Sequence, residues 1–205
     1  MIGIVDYGMG NLLSVYNAFV AIGEDVKICQ NPDDLVNMSH IVLPGVGSFN
    51  KCMSNILDRG FYGILNDLAL NEKRPILGIC LGMQLMANNS TEGRSCKGFE
   101  WIDSEVTRIE LKKEIKIPHI GWNSLDVCND SLLLTGLSNE PDFYYVHSYQ
   151  MKCTGDEDVI ATCNYGQKIT SIVNKDNIYG VQFHPEKSQD NGLILLENFA
   201  AIRQC

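Results

Sequence analysis

Pro75-Ile76-Leu77-Gly78-Ile79-Cys80-Leu81-Gly82 predicts a sharp turn from a buried strand into a helix. The apolar run 75–79 suits a fully buried strand, and Leu81 to Ala87 predicts a helix, so Cys80 falls on the turn. Glycines at 78 and 82 relieve the crowding of a backbone that exposes a nucleophile in this way. The helix N-terminus favours a thiolate, and its first amides can bind an oxyanion. On these residues alone, a buried structural cysteine is an equal alternative.

Length and composition limit the class of protein. The sequence has 205 residues, of which 45% are hydrophobic, and this predicts one domain over residues 1–205. It has neither a secretory leader nor an apolar run of the roughly 20 residues that span a bilayer, so we expect a cytoplasmic protein without membrane contact. The eight cysteines form no C-x-x-C pair or Cys/His cluster, which predicts reduced thiols and no metal site. A formal net charge of −9 argues against nucleic-acid binding.

Strands alternate with helices along the first part of the chain. Apolar runs predict strands at 2–5, 25–29, 41–43 and 75–79, and helical spacing occurs at 11–22 and, with a break near Gly60, at 52–70. This alternation predicts an α/β fold with a mostly parallel central sheet flanked by helices. Ligands of such sheets bind at the carboxyl ends of the strands, where Cys80 lies. The turn at 6–11 has the first two glycines of a dinucleotide motif but Leu13 at the third, so a nucleotide site is disfavoured.

The second half of the sequence changes to short runs typical of β-strands. These hairpins are expected to add antiparallel strands to the sheet and to shield the site. The predicted strands are 104–111, 121–127, 143–151, 159–164, 169–174 and 178–183, and the run 192–202 predicts a final helix.

Pro44-Gly45-Val46-Gly47 follows the third predicted strand, at the same sheet edge as Cys80. Its two glycines allow backbone amides to turn toward one point and form an anion-binding concavity. The loop is therefore a candidate oxyanion hole. Considered without Cys80, an ordinary glycine-rich turn is the favoured alternative.

A thiol nucleophile needs a base, and His184 is the best candidate of four histidines. A predicted strand delivers it, and Pro185 is expected to keep the chain extended before Glu186. Residues two apart in an extended segment point to the same side, so the carboxylate can orient the imidazole. The alternative is a turn that carries a surface ion pair.

The other three histidines have weaker signals. His40 opens a buried strand far from the carboxyl edge, which indicates a structural residue. His119 follows Pro118 and has no acid near it in the sequence, so we expect it at the surface or facing a partner. His147 lies in an aromatic strand and is a possible wall residue of the site.

Two motifs together carry a specific resemblance. Gly78-Ile79-Cys80-Leu81-Gly82-Met83-Gln84 and Phe183-His184-Pro185-Glu186 resemble the class I, triad-type glutamine amidotransferases, a family with a flavodoxin-like fold. Within that family, residues 4–11, 44–47, 118–123 and 144–149 are similar to the HisH-type glutaminase subunits of imidazole glycerol phosphate synthase. Val46 favours this subfamily, because other members usually have Pro-Gly-Gly in the loop.

The resemblance implies a role for each matching residue. Cys80 would attack the side-chain amide of glutamine and form a thioester, with His184 shuttling protons and Glu186 orienting it. No cofactor is implied. The implied oxyanion hole is Val46, Gly47 and Leu81, and the implied glutamine-binding residues are Gly45, Gln84, Ser148 and Tyr149. The implied partner interface and ammonia gate are Trp122, Asn123, Tyr144 and Lys187.

The resemblance also implies a partner. In this subfamily the ammonia passes to a (β/α)₈-barrel cyclase subunit, as a heterodimer, for imidazole glycerol phosphate synthesis in histidine biosynthesis. A paralogous glutaminase that supplies another acceptor, such as a surface-polysaccharide sugar, is the main alternative. A non-catalytic regulatory subunit and another Cys-His hydrolase, such as a peptidase, are less favoured because the triad, Gln84 and the 44–47 loop are all present.

Overall fold

The computed structural model describes residues 1–110 and 115–203 of the chain. Its strands β1 to β14 are Ile2–Val5, Val26–Cys29, His40–Gly45, Ile76–Cys80, Asn89–Ser90, Cys96–Lys97, Ser104–Arg108, His119–Ser124, Asp126–Val127, Asp142–His147, Tyr149–Cys153, Val159–Asn164, Lys168–Lys175 and Ile178–Val181. Its α-helices α1 to α5 are Leu12–Ala21, Phe49–Asp58, Phe61–Asn66, Leu81–Gln84 and Gln189–Ala201. Shorter helical turns are Pro32–Leu35, Asp67–Asn71, Leu132–Leu134 and Pro185–Lys187.

An eight-stranded sheet forms the centre of the fold, in the order β2-β1-β3-β4-β14-β13-β12-β9. The first five strands in this order are parallel, and β13, β12 and β9 add to them in antiparallel fashion. The prediction of a mostly parallel sheet with antiparallel strands from the second half is therefore confirmed. The carboxyl ends of β3, β4 and β14 lie side by side, so the residues that follow them share one edge of the sheet.

Alternate residues of the central strands face two separate cores. Ile4 packs on one face with Phe19 of α1 and Phe199 of α5. Val5 packs on the other face with Phe49 of α2 and Phe61 of α3. Helices thus cover both faces, which excludes water and holds the strand ends in place. In the parts of the chain that the structure describes, no helix is both long and apolar enough to cross a membrane.

The remaining hairpins do not all extend the central sheet, contrary to the prediction. Strands β8 and β10 form a two-stranded antiparallel sheet, and β11, β7, β5 and β6 form a four-stranded one. The predicted run 143–151 is divided at Ser148, and 121–127 is divided at Leu125. Leu111, the predicted end of β7, lies outside the described residues. These breaks let the second half fold over the carboxyl edge of the central sheet.

The helix predicted over Leu81 to Ala87 is much shorter in the structure. It ends after Gln84, and residues 85–88 continue as turns. Phe99 and Glu100 donate backbone hydrogen bonds to the carbonyls of Leu85 and Ala87, so another segment satisfies the groups that a longer helix would have paired. A four-residue helix has little macrodipole, and only its local amides are left to favour an anion.

Candidate active site

A cavity of about 410 Å³ opens at the carboxyl edge of the central sheet. Strands β3 and β4 and the segment after β14 supply its floor, and the segment around Ser148 supplies its wall. The lining residues are Val46, Gly47, Cys80, Leu81, Gln84, Glu92, Pro118, Val146, His147, Ser148, Tyr149, His184 and Lys187. This cavity therefore brings together Cys80, His184 and parts of all three residue sets predicted from the sequence.

Cys80 occupies a strained turn between β4 and α4, as the sequence predicted. Its backbone has φ 56° and ψ −110°, a region that costs a non-glycine residue on the order of 1–3 kcal/mol. A Cβ atom at Gly82 would lie 1.7 Å from the Leu43 carbonyl oxygen, and one at Gly78 would lie 2.7 Å from the Gly82 backbone. Glycine is required at both positions because the turn packs directly against β3 and against itself.

The predicted oxyanion loop is only partly a loop. Gly45 belongs to β3 and pairs with Cys80, so its freedom is smaller than predicted, whereas Gly47 has φ +99°. The Cys52 thiol donates a hydrogen bond of 3.7 Å to the Val46 carbonyl. Since the C=O and N–H of a trans peptide point in opposite directions, this contact turns the Gly47 amide away from Cys52. Gly47 lines the cavity.

His184 and Glu186 form a buried pair beside Cys80. The imidazole Nδ1 lies 2.8 Å from the Glu186 Oε1, and the two side chains are 3% and 1% exposed. Burial lowers the pKa of His184, but the Cys80 sulfur and the Glu186 carboxylate outweigh it and raise the pKa from 6.5 to about 9. The Nε2 atom is buried and has no hydrogen-bond partner among the described residues, so it is available to a reacting group.

The path of the backbone between these two residues differs from the prediction. Pro185 does not hold the chain extended, because Pro185–Lys187 is a 3₁₀ turn closed by the Lys187 amide on the His184 carbonyl at 3.0 Å. A tight turn also brings side chains two residues apart together. The predicted contact is present, and the reason given for it was wrong.

His147 and His119 form a second buried pair. His147 lines the cavity, and its Nε2 lies 3.0 Å from the His119 Nδ1. His119 is 2% exposed and stacks between Tyr145 and Tyr165, so the expectation of a surface residue was wrong. Burial lowers the pKa of both rings from 6.5 to about 4. Both imidazoles are therefore neutral at pH 7.

Two polar residues of the site, Gln182 and Glu92, were not predicted from the sequence. Gln182 is fully buried between Gln84 and Cys80, and it lies two residues before His184, on the same side by the alternation rule that could have revealed it. Glu92 brings a carboxylate to the cavity and accepts a hydrogen bond of 2.7 Å from the Phe49 amide at the start of α2. No periodic pattern surrounds Glu92, so only the fold reveals it.

Three of the four residues predicted to face a partner, Trp122, Tyr144 and Lys187, form a connected group that reaches the cavity through Lys187. Trp122 and Tyr144 pair across β8 and β10, and their rings meet edge to face at 6.1 Å. The Lys187 ammonium lies 5.9 Å from the centre of the Tyr144 ring. Trp122 is 48% exposed, so its indole is open to solvent. Asn123 instead points to the Asn164 carbonyl at 2.9 Å.

Among residues 1–110 and 115–203, no group of three or more His, Cys, Asp or Glu side chains is arranged to hold a metal ion. The seven cysteines of these residues are free thiols. The cavity brings together a thiol, an imidazole and, paired with the imidazole, a carboxylate, which together suit nucleophilic attack on a carbonyl carbon.

Comparison with known families identifies the class of protein to which this fold and site belong. The family model for class-I glutamine amidotransferases matches residues 3–202. The chain belongs to this family.

Particular relatives are similar along their whole length. The chain is 48% identical over 202 residues to imidazole glycerol phosphate synthase subunit HisH 1 of Campylobacter jejuni subsp. jejuni serotype O:23/36 (strain 81-176), covering 98% of this chain and 100% of the relative. It is 42% identical over 205 residues to subunit HisH of Leptospira borgpetersenii, covering 98% and 100%. Among solved structures, PurLQS from Thermotoga maritima has a TM-score of 0.76 at 17% identity, covering 97% and 96%, which is a likeness of fold.

Proposed function

We propose that this chain hydrolyses glutamine to glutamate and ammonia, and that it supplies the ammonia to a cyclase subunit that makes imidazole glycerol phosphate in histidine biosynthesis. The observation that carries the first part is the position of Cys80. Cys80 lies on a strained backbone turn and lines the same cavity as His184, which is paired with the Glu186 carboxylate. Membership of the class-I glutamine amidotransferase family supports the same reaction.

The proposed reaction uses the thiol twice. The Cys80 thiolate attacks the side-chain carbonyl carbon of glutamine, and the amides of Val46, Gly47 and Leu81 are the candidate donors to the oxyanion. Protonated His184 gives its proton to the leaving amino group, which departs as ammonia and leaves a glutamyl thioester. Neutral His184 then takes a proton from water as the water attacks, and glutamate and the Cys80 thiolate are released. Glu186 orients His184 and stabilises its charged form throughout.

Recognition of glutamine is assigned to the polar groups of the wall. Glu92 lines the cavity, and its carboxylate is the proposed partner of the α-ammonium group of glutamine. The residue is half-buried, so it remains partly in contact with solvent. Both N–H groups of Gln84 are engaged, by the Tyr149 carbonyl and by Gln182, so any hydrogen bond from Gln84 to glutamine is accepted by its Oε1. The Ser148 carbonyl is also engaged, by the Ile109 amide at 2.9 Å. The backbone amides of Gly45, Ser148 and Tyr149 complete the proposed subsite.

The proposed partner is a (β/α)₈-barrel cyclase subunit bound as a heterodimer. Relatives at 48% and 42% identity are named as subunits of imidazole glycerol phosphate synthase, which supports this acceptor. The proposed contact face is formed by Trp122, Asn123, Tyr144 and Lys187. An exposed indole in a group that reaches the cavity suits a protein interface, because large aromatic side chains dominate the energy of such contacts.

The proposal is tested with Cys80→Ser and the matched control Cys128→Ser. Cys128 is an exposed thiol outside the cavity, so its variant should behave as the wild type. In complex with the cyclase of the same organism, Cys80→Ser should lose imidazole glycerol phosphate formation from glutamine and retain it from ammonium salts. Retained use of glutamine by Cys80→Ser would remove Cys80 from the mechanism.

The same assay separates the two acceptor pathways. Glutamine-dependent imidazole glycerol phosphate formation by the wild-type complex supports the histidine pathway. If glutamine is hydrolysed but no cyclase of that organism binds the chain, the acceptor is another compound, such as a surface-polysaccharide sugar.

A further inference from the structure

Gln182 is a fully buried polar side chain that the mechanism above does not use. It follows β14, and its backbone amide donates a hydrogen bond of 2.9 Å to the Ser171 carbonyl, which fixes its position. Its side-chain Oε1 lies 2.8 Å from the Gln84 Nε2, and its Nε2 lies 3.7 Å from the Cys80 sulfur. A carboxamide in direct contact with a candidate nucleophile is placed to affect it.

The orientation of this carboxamide follows from its neighbours. The Tyr149 carbonyl can only accept, so the Gln84 atom 2.9 Å from it must be the amide nitrogen. That nitrogen also points at Gln182, and its second hydrogen needs an acceptor there, which only the Gln182 oxygen provides. The opposite orientation would place two N–H donors against each other in a buried site. The group that faces the Cys80 sulfur is therefore an N–H donor.

An N–H donor at this position favours a negative sulfur over a neutral thiol. Hydrogen bonds to ionised acceptors are shorter and stronger than those to neutral ones. His184, Tyr7 and Cys52 are titratable side chains that interact with Cys80. Burial raises the pKa of Tyr7 well above 10 and that of Cys52 to about 11, so both stay neutral at pH 7. Among these groups His184 carries the positive charge at pH 7, and Gln182 adds a neutral hydrogen-bond donor to the sulfur.

We propose that Gln182 is a further catalytic residue, which donates a hydrogen bond to the Cys80 thiolate and holds the sulfur in place for attack. Gln84 is the positioning residue that sets the direction of the Gln182 carboxamide. This inference rests on the proposed role of Cys80 as the nucleophile.

The test measures the rate at which iodoacetamide alkylates Cys80 as a function of pH, with intact mass to count adducts. Cys80→Ser provides the blank for the other cysteines. Gln182→Met keeps the shape of the side chain without the donor, and Gln182→Glu keeps an acceptor for Gln84 while it presents an oxygen to the sulfur. The matched control is Gln150→Met, another glutamine that is 2% exposed but does not line the cavity.

We expect Gln182→Met to slow alkylation at pH 7 by about tenfold, the lower end of the effect of a hydrogen bond to a charged group. The midpoint of its pH curve should move to higher pH, and Gln182→Glu should move it further. Gln84→Met should cause a smaller shift in the same direction, and Gln150→Met none. In the glutaminase assay, Gln182→Met should lower kcat more than it raises KM.

Unchanged alkylation curves for Gln182→Met would overturn the proposal, since the residue would then only fill space. If Gln182→Glu does not fold, Gln182→Met decides alone, with near-ultraviolet circular dichroism to confirm its packing. The outcome is separate from that of the proposed function. Loss of hydrolysis in Cys80→Ser with unchanged alkylation in Gln182→Met would reject Gln182 and retain Cys80 as nucleophile.

Discussion

Two buried side-chain pairs border the cavity, His184 with Glu186 and His119 with His147. The pKa of His184 is shifted in the opposite direction to the pKa values of His119 and His147. The side chains of His184 and Glu186 are 3% and 1% exposed, and the pKa of His184 is raised to about 9. His119 and His147 are 2% and 6% exposed, and the pKa of each is lowered to about 4. Burial lowers the pKa of all three imidazoles. Only His184 also lies beside a sulfur and a carboxylate, which raise its pKa. The chemical nature of the neighbour therefore decides which pair carries a proton at pH 7.

The hydrogen-bond partners of the neutral His119–His147 pair determine which ring nitrogens carry hydrogen. The His147 Nδ1 donates to the Tyr149 carbonyl at 2.8 Å, so its Nε2 must accept from the His119 Nδ1. The same Tyr149 carbonyl accepts from Gln84. If either imidazole carried hydrogen on both nitrogens, one of its N–H groups would face another hydrogen-bond donor. We infer that the neutral pair shapes the wall, whereas the charged pair moves protons.

The largest expected effect comes from removal of the charged ring. His184→Ala should lower glutamine hydrolysis by about 10³-fold or more, because general acid–base catalysis contributes roughly 10²- to 10⁴-fold and the sulfur also loses its counter-ion. Steady-state ammonia release measures it. His40→Ala is the control, since His40 begins β3 at the opposite edge and bonds the Ile202 carbonyl. Comparable losses in both variants would mean that fold damage, not proton transfer, explains the result.

A smaller loss is expected from Glu186→Gln, which keeps a side chain of the same shape. Removal of the carboxylate charge disfavours the imidazolium, so the pKa of His184 should fall from about 9 toward its ordinary value. The alkaline limb of the pH–rate profile should move to lower pH, and kcat should fall roughly 10- to 100-fold. Binding to the cyclase should be retained. A loss greater than that of His184→Ala would overturn the assigned roles.

The two pairs should make the free energy of unfolding depend on pH in opposite ways. His184 has a raised pKa, so its contribution to the free energy of unfolding is fully present below pH 6.5 and is lost as the pH rises through about 9. His119 and His147 have lowered pKa values, so their contribution is present above pH 6.5 and is lost as the pH falls through about 4.

His147→Gln tests the acid side of this difference. The variant lacks one titrating ring, so between pH 6.5 and 4 its free energy of unfolding should fall by about 2 kcal/mol less than that of the wild type. Urea unfolding at several pH values measures both curves. Parallel curves would show that the buried pair does not govern acid stability.

The smallest effect on glutamine hydrolysis is expected at Asn123, where the neutral His119–His147 pair meets the surface. Its amide lies 3.4 Å from the His119 Nε2 and 2.9 Å from the Asn164 carbonyl. Asn123→Ala should cost about 1 kcal/mol of stability and leave hydrolysis by the isolated chain almost unchanged. Ser124→Ala on the same strand, which loses a contact with Asp142, should cost less because that contact is exposed to solvent. Strong loss of hydrolysis in Asn123→Ala would show that the surface is linked to the nucleophile.

Local patterns of the sequence were sufficient to predict the central sheet, the turn at Cys80 and the contact between His184 and Glu186. A buried strand followed by Cys80 between two glycines predicts the strained turn, because the crowding at such a turn involves only adjacent residues. His184 and Glu186 are two residues apart, so any extended or tightly turned backbone brings them together. The alternation of strands and helices predicted the parallel sheet for a similar reason, since hydrophobic periodicity is a property of consecutive residues.

Only the tertiary structure decided which distant residues surround these elements. His119 and His147 are 28 positions apart, and Gln182 is 98 positions from Gln84 and 102 from Cys80. No local pattern links such residues, and the two small sheets that bring His119, His147 and Tyr149 over the cavity differ from the hairpins predicted. The charge of a histidine was likewise beyond the sequence, because a pKa depends on burial and on the groups that the folded chain places within a few ångströms.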